Sequence, residues 1–170
     1  MSHHDEDLLR ELLEPRESGF IETSQDFEHW AARLGSAFPF SLNRIRWEKV
    51  PQHLVLEPAS RLPGEEKAPG EYYRRCAPRI AAFAKACFQQ AGIPLRQGAV
   101  WIGDSVDVVL HLTNDTFLQW CHVMLSYPQH SYLIPKDVAW CLNYTFEDET
   151  FFGVRPTPTR GASVVAGRPR

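Results

Sequence analysis

Hydrophobic residues return every three or four positions between Glu71 and Ala91. This spacing is typical of an α-helix and predicts the longest helix of the chain, with Gly92 and then Pro94 ending it. Pro78 lies inside this segment. Because proline lacks a backbone N–H and is tolerated at a helix start, either the helix begins at Pro78 or its first turns are kinked there.

Two shorter segments share the helical spacing. Ser24 can cap the first, whose apolar side chains continue to a stop at Gly35. Asn114 or Asp115 can cap the second, and Pro128 closes it. The first has its apolar stripe at Phe27, Trp30, Ala31 and Leu34, and the second at Phe117, Cys121, Met124 and Leu125.

Alternation of apolar and polar residues predicts strands in the rest of the chain. The clearest strand runs from Val138 to Phe146, and a returning strand follows an acidic turn. The returning strand covers 150–154, and residues 132–135 are a candidate partner for the clearest strand. Residues 99–102 and 106–113 would form a hairpin. Residues 45–47 and 53–56 would form two strands or one interrupted edge strand.

This order of elements predicts an α+β fold in which an antiparallel sheet of about five to seven strands carries about three helices on one side. One globular domain would span residues 18–154. Residues 1–17 would form an acidic N-terminal extension that is at most a short amphipathic helix, because acids flank leucines at helical spacing. Residues 155–170, rich in Arg, Pro and Gly, would form a disordered tail.

Composition narrows the class of partner. The chain has 170 residues, 21 acidic against 18 basic side chains and a formal net charge of -3. It therefore lacks the positive field on which nucleic-acid affinity depends, and we expect no nucleic-acid partner. The first residues show no secretory signal and no apolar run is long enough to cross a membrane, so the sequence predicts a cytoplasmic protein without a membrane partner.

The sequence shows no assembled set of catalytic residues. The four cysteines, Cys76, Cys87, Cys121 and Cys141, lie in apolar stretches without close pairs, so we expect buried, reduced and inert thiols. No pair of His or Cys has the spacing of a zinc site, and no glycine-rich turn leads from a strand into a helix. We therefore expect no catalytic residue, no metal and no cofactor, and a protein that is not an enzyme.

Glu147, Asp148 and Glu149 occupy the predicted turn between the last two strands. Three consecutive carboxylates can be an ordinary solvated turn, or they can belong to an acidic surface that meets a basic partner. The tryptophans Trp47, Trp101 and Trp120 could supply apolar contacts to such a partner or lie in the core.

The segment from Tyr132 to Gly153 resembles the final strands of small bacterial immunity proteins, which are encoded beside polymorphic toxins of contact-dependent and type VI secretion systems. The positions that carry the resemblance are Ile134-Pro135, Asp137, Trp140-Cys141, Tyr144, Glu147-Asp148 and Phe151-Phe152-Gly153. They span about an eighth of the chain.

The resemblance implies a cytoplasmic protein without enzymatic activity that binds a cognate toxin and occludes its active site or an essential surface. It implies that Glu147, Asp148 and Glu149 form an exposed acidic turn facing a basic substrate site, with the aromatic residues as framework. Two alternatives stay open. An adaptor or chaperone-like module for a secreted effector would show an exposed apolar groove, and a small enzyme would show a cleft of titratable residues.

Overall fold

The computed structural model describes residues 2–41, 44–65, 67, 69–127 and 130–156. Within these residues the chain forms five α-helices and a 3-10 turn at Trp47–Lys49. The helices are α1 His3–Glu11, α2 Leu13–Glu17, α3 Phe27–Ala37, α4 Pro69–Gln90 and α5 Asn114–Met124. Helix α4 continues through Pro78, so this proline does not begin the helix.

The strands that the structure describes are β1 Glu22–Ser24, β2 Phe40–Ser41, β3 Arg44–Ile45, β4 Leu54–Leu56, β5 Gly98–Gly103, β6 Val109–Thr113, β7 Ser131–Pro135, β8 Trp140–Tyr144 and β9 Thr150–Val154. Seven of them form one sheet in the order β1-β6-β5-β7-β8-β9-β4. All neighbours in this sheet are antiparallel. Strands β2 and β3 form a separate hairpin. The predicted α+β class and antiparallel sheet are confirmed.

Apolar side chains cover both faces of this sheet, because successive residues of a strand point to opposite sides. On one face, Trp101 and Leu133 belong to the cluster that α4 and α5 complete. On the other face, Val100 and Ile134 belong to the cluster that includes Trp30 of α3. Helices α4 and α5 thus share one side, as predicted, whereas α3 lies on the opposite side, since both faces of the central strands are apolar and each needs cover.

The first 17 residues are built into this core. Leu8 and Leu12 have no exposed surface and lie in the same cluster as α4 and α5. The carboxylate of Asp5 is also fully buried, and it accepts hydrogen bonds from the backbone N–H groups of Asp107 at 2.9 Å and Val108 at 3.2 Å. The segment predicted as an extension is helical, and Leu8 and Leu12 belong to the main core.

Several predicted element ends differ in the structure. Trp47 lies in a 3-10 turn and not in a strand, because its ring is buried against the sheet. Helix α3 continues past Gly35 to Ala37. Helix α5 is capped by Thr113, whose hydroxyl accepts a hydrogen bond from the N–H of Thr116 at 3.1 Å, and not by Asn114 or Asp115.

The clearest predicted strand is shorter than its pattern. Val138 has a positive φ of 52° and packs on the face opposite Trp140, so the strand begins after it. At the other end, 58% of Phe146 is exposed. Alternation therefore located β8 correctly but overestimated its length, because the turns at both ends break the two-residue repeat.

The predicted tail begins within the ordered fold. The backbone N–H of Arg155 donates to the carbonyl of Ala139 at 2.8 Å, so residue 155 still pairs with the chain before β8. Residues 157–170 of the predicted tail lie outside the described residues. No helix among the described residues is both long and apolar enough to cross a membrane.

Candidate functional site

The acidic turn joins β8 to β9, as the sequence predicts. The N–H of Thr145 donates to the carbonyl of Glu149, and the N–H of Asp148 donates to the carbonyl of Thr145, both at 3.0 Å. Asp148 adopts a φ of 64°, the left-handed conformation that Asp tolerates better than most residues. The three acids of this turn lie in different surroundings. Glu147 and Glu149 line one cavity, and Asp148 lines another.

Asp148 is committed to contacts inside the protein. Its carboxylate accepts a hydrogen bond from the hydroxyl of Tyr144 at 2.6 Å and pairs with the guanidinium of Arg61 at 2.7 Å. Only 11% of the side chain is exposed. The three acids therefore do not form a uniformly exposed turn. Asp148 is largely buried and stabilises the fold through Tyr144 and Arg61. Partner binding by Glu147, Asp148 and Glu149 stays a prediction.

We name the cavity beside this turn the tip cleft. It has a volume of about 400 Å³ and lies between the turn and the segment that runs from β2 to the 3-10 turn. The residues of its lining that bear on chemistry are Arg44, Arg46, Trp47, Glu48, His130, Asn143, Thr145, Glu147, Glu149 and Phe151. They come from three separate parts of the chain, so only the tertiary fold assembles the cleft.

Aromatic packing and a buried amide hold the shape of the tip cleft. The rings of Trp47 and Phe151 stack with centroids 5.3 Å apart and planes 7° from parallel. The indole N–H of Trp47 donates to the amide oxygen of Asn143 at 2.9 Å, and the amide nitrogen of Asn143 donates to the carbonyl of Ser131 at 3.0 Å. Because these groups are buried and paired, this part of the lining is preorganised.

Two of the three carboxylates of the cleft are paired with an arginine. Arg44 lies 3.5 Å from the carboxylate of Glu147, and Arg46 lies 2.6 Å from that of Glu48. Among the residues that the structure describes, no cationic group lies within 4 Å of the carboxylate of Glu149. Burial raises the pKa of Glu149, and the carboxylates of Glu57 and Glu147 raise it further. Within the described part of the chain, the cleft thus holds one negative charge without a counter-charge.

Two buried polar groups of the lining also lack partners. His130 is 9% exposed and Thr145 is 6% exposed. Within the described part of the chain, neither Nδ1 of His130 nor the hydroxyl of Thr145 has a hydrogen-bond partner. Buried polar atoms are nearly always paired in folded proteins, and unpaired ones mark strain or a place where another molecule binds.

A second polar cluster lies at the other edge of the sheet. The hydroxyl of Ser24 is 2.8 Å from Nε2 of His111 and donates to the carboxylate of Asp26, which also accepts the indole N–H of Trp30 at 3.0 Å. No local pattern indicates this contact, since the serine and the histidine are 87 positions apart in the chain. Strands β1 and β6 bring them together through the pairing of Ser24 with Val109.

The direction of these hydrogen bonds decides what the cluster can do. A serine hydroxyl has one hydrogen, and the hydroxyl of Ser24 gives it to Asp26, which lowers the pKa of that carboxyl. His111 therefore donates to the serine oxygen, whereas an activating base must accept the serine proton. The hydrogen bonds of this cluster connect β1 and β6 to the start of α3.

Replacing Ser24 with alanine should accordingly lower the free energy of unfolding by about 1 kcal/mol. The measurement is chemical denaturation of both proteins at pH 7. A fluorophosphonate probe, which labels activated serines, should leave the wild-type protein unmodified. Labelling of Ser24 that disappears in the His111→Ala variant would contradict this assignment and favour a hydrolase.

The remaining residues singled out from the sequence lie in the core. All four cysteines are free and buried, as predicted. Burial raises the pKa of Cys87 and of Cys121 to about 11 and also raises that of Cys141. Of the three tryptophans, Trp47 and Trp101 are buried and Trp120 is half-buried. Across the described ranges, no group of three or more His, Cys, Asp or Glu side chains is placed to hold a metal ion.

Sequence reasoning located the acidic turn but missed the rest of the tip cleft. Trp47 was assigned to a strand, His130 stands alone in the sequence, and Arg44 belongs to a hairpin that the pattern did not separate. No protein-family model matches the chain, and no curated protein has a similar sequence.

Proposed function

We propose that this chain is a cytoplasmic immunity protein that binds a secreted protein toxin and neutralises it by occluding its active site or an essential surface. The resemblance of 132–153 supports this proposal, because the residues that carry it form the adjacent strands β7, β8 and β9 and the acidic turn. On this proposal the protein acts by binding and performs no chemistry.

The observation that carries the proposal is the unpaired carboxylate of Glu149 in the tip cleft. An ionised carboxylate that is half-buried beside other acids is destabilised in the free protein. A cationic side chain from a partner would remove that destabilisation. A surface that gains a missing counter-charge on binding is typical of specific interfaces with complementary potentials.

The overall charge favours a basic partner. A net charge of -3 attracts positively charged surfaces and speeds encounter with them at low ionic strength. Toxins that act on nucleic acids or nucleotides need basic substrate sites, and such a site matches the acidic residues of the cleft. Nucleic acid itself would be repelled.

Co-expression with the product of the adjacent upstream gene tests the proposal. The expected result is that growth is rescued and that the two proteins co-purify. If that product is toxic and this protein gives neither rescue nor co-purification, the immunity assignment is wrong. Co-purification without rescue would instead indicate the adaptor or chaperone-like function.

The double variant Glu147→Lys/Glu149→Lys should keep its fold but bind the toxin at least about tenfold more weakly, because charge reversal at an interface replaces attraction by repulsion. Asp148 is left unchanged, since it holds Arg61 and Tyr144. Calorimetric titration at two salt concentrations provides the measurement. The matched control is Glu14→Lys/Glu17→Lys, which makes the same charge change on exposed residues of α2.

Equal affinity and equal salt dependence for the cleft variant and the control would remove Glu147 and Glu149 from the interface. Circular dichroism of both variants shows whether the fold is retained.

A further inference from the structure

We infer that the tip cleft receives a single arginine side chain of the partner, with its guanidinium against the carboxylate of Glu149 and near the buried polar atoms of Thr145 and His130. This inference rests on the proposed function in taking the occupant from a protein partner. It goes further in naming the chemical group that is recognised and the residues that recognise it.

The charge pattern selects a cation. The two arginines of the lining, Arg44 and Arg46, lie beside Glu147 and Glu48, so neither compensates the remaining carboxylate. One added positive charge brings the five charged residues of the lining and the occupant to neutrality. An anionic occupant would leave Glu149 uncompensated and would meet direct repulsion from it.

The polar atoms of the cleft suit a group that donates several hydrogen bonds. A carboxylate accepts only, the hydroxyl of Thr145 can accept as well as donate, and Nδ1 of His130 is a further polar atom without a partner among the described residues. A guanidinium offers five N–H donors in a planar fork and can bind a carboxylate through two parallel bonds. A lysine ammonium offers three donors from one point and cannot form that bidentate pair.

The aromatic residues add a second reason to prefer arginine. Phe151 is half-buried in the lining and its ring continues the stack with Trp47. A planar guanidinium can lie against such a ring and gain a cation–π contact that a compact, strongly hydrated ammonium makes less readily. The cleft therefore distinguishes the two basic side chains by shape as well as by charge.

The free protein is less stable when Glu149 is ionised, because no cation among the described residues lies beside its carboxylate. A carboxyl whose pKa is raised by folding destabilises the folded state progressively as pH rises from its unfolded pKa to its folded pKa, and the loss persists at higher pH. Glu149→Gln removes the charge and keeps the size. This variant should therefore melt at the same or a higher temperature than the wild type, while binding less well.

The test uses N-acetyl-L-arginine methylamide, with N-acetyl-L-lysine methylamide as the cation of equal charge. Amide and indole NMR signals are followed during titration of the wild-type protein, Glu149→Gln and the control Glu17→Gln, which removes one exposed acid from α2. The arginine probe should shift the Thr145 amide and the Trp47 indole signals saturably. Glu149→Gln should weaken this binding about tenfold, and Glu17→Gln should leave it unchanged.

Three outcomes would overturn the inference: no saturable shift at Thr145 or Trp47, equal binding of the lysine probe, or unchanged binding by Glu149→Gln. The titration needs no toxin, so its failure is separate from that of the immunity function. Arginine binding without growth rescue would keep the cleft assignment and reject the toxin. Rescue without arginine binding would place the interface elsewhere.

Discussion

Replacing Asp5 with alanine is expected to lower the free energy of unfolding by about 3 kcal/mol, because three backbone donors lose a charged acceptor. The Asp5 carboxylate accepts the N–H groups of Asp107 and Val108, and it also accepts the N–H of Ser2 at 2.6 Å. These bonds fasten the first helix to the loop between β5 and β6. Without them, Leu8 and Leu12 lose the contact that holds their helix in register with the core.

Chemical denaturation provides the measurement for Asp5→Ala. The matched control is Glu6→Ala, which removes the neighbouring exposed acid of the same helix. The control should change the stability by only a few tenths of a kcal/mol, as surface substitutions usually do. If both variants had the same stability, the N-terminal helix would not be fastened through Asp5.

The same carboxylate should make stability depend on pH. Burial alone would raise the pKa of Asp5, but hydrogen bonds from Ser2, Val108 and Asp107 outweigh it and hold the pKa below its ordinary value. A pKa lowered by folding stabilises the protein above the unfolded value of about 3.9, and that stabilisation is lost as pH falls through the folded pKa. The Asp5→Asn variant should lose less stability than the wild type between pH 5 and the folded pKa.

Replacing Gly153 with alanine is expected to lower the free energy of unfolding by about 1–3 kcal/mol, the usual cost of overpacking a filled core. A Cβ at this position would lie 2.7 Å from a ring carbon of Trp47 and 2.9 Å from a methyl carbon of Val50. Both neighbours are buried, so neither has room to move away. Glycine in β9 allows the indole to lie directly on the sheet.

Denaturation monitored by tryptophan fluorescence measures the effect of Gly153→Ala. Gly98→Ala is the matched control, because Gly98 also lies in a strand of the sheet but a Cβ there meets nothing within 4 Å. The control should be neutral or slightly stabilising. Equal stability of Gly153→Ala and wild type would mean that the 3-10 turn moves freely on the sheet.

The Gly153→Ala variant also bears on function. Trp47 stacks on Phe151 and is hydrogen-bonded to Asn143, so its displacement would change the lining of the tip cleft. A folded Gly153→Ala protein should therefore bind the arginine probe more weakly than Gly98→Ala. The glycine thus links the packing of β9 to the shape of the proposed site.

Strong local patterns predicted the elements that lie in the middle of the sheet. Strands β5 to β9 and helices α4 and α5 carry apolar residues at a repeat of two or of 3.6, and each was found close to its predicted place. Patterns failed where tertiary contacts overrule them. Trp47 alternates like a strand residue yet lies in a 3-10 turn, and Val138 has a positive φ although it continues the alternation of β8.

The candidate site was predicted only in its sequential part. Glu147, Asp148 and Glu149 are consecutive, so a turn rich in acids was visible in the sequence. The sequence could not show that Asp148 pairs with Arg61, 87 positions earlier, while Glu149 faces a cleft without a cation. Charge pairing depends on distances across the fold, and composition reports only the sum of charges.

The amino-acid sequence by itself determined the α+β class, the antiparallel hairpins and the burial of the cysteines, because these follow from local periodicity and from the exclusion of apolar side chains from water. Only the tertiary structure decided that helices cover both faces of the sheet, that the first 17 residues belong to the core, and that Trp47, His130, Thr145 and Glu149 share one cleft. Those outcomes depend on contacts between distant segments. Each such contact is selected by the packing of the whole chain, and no local pattern encodes it.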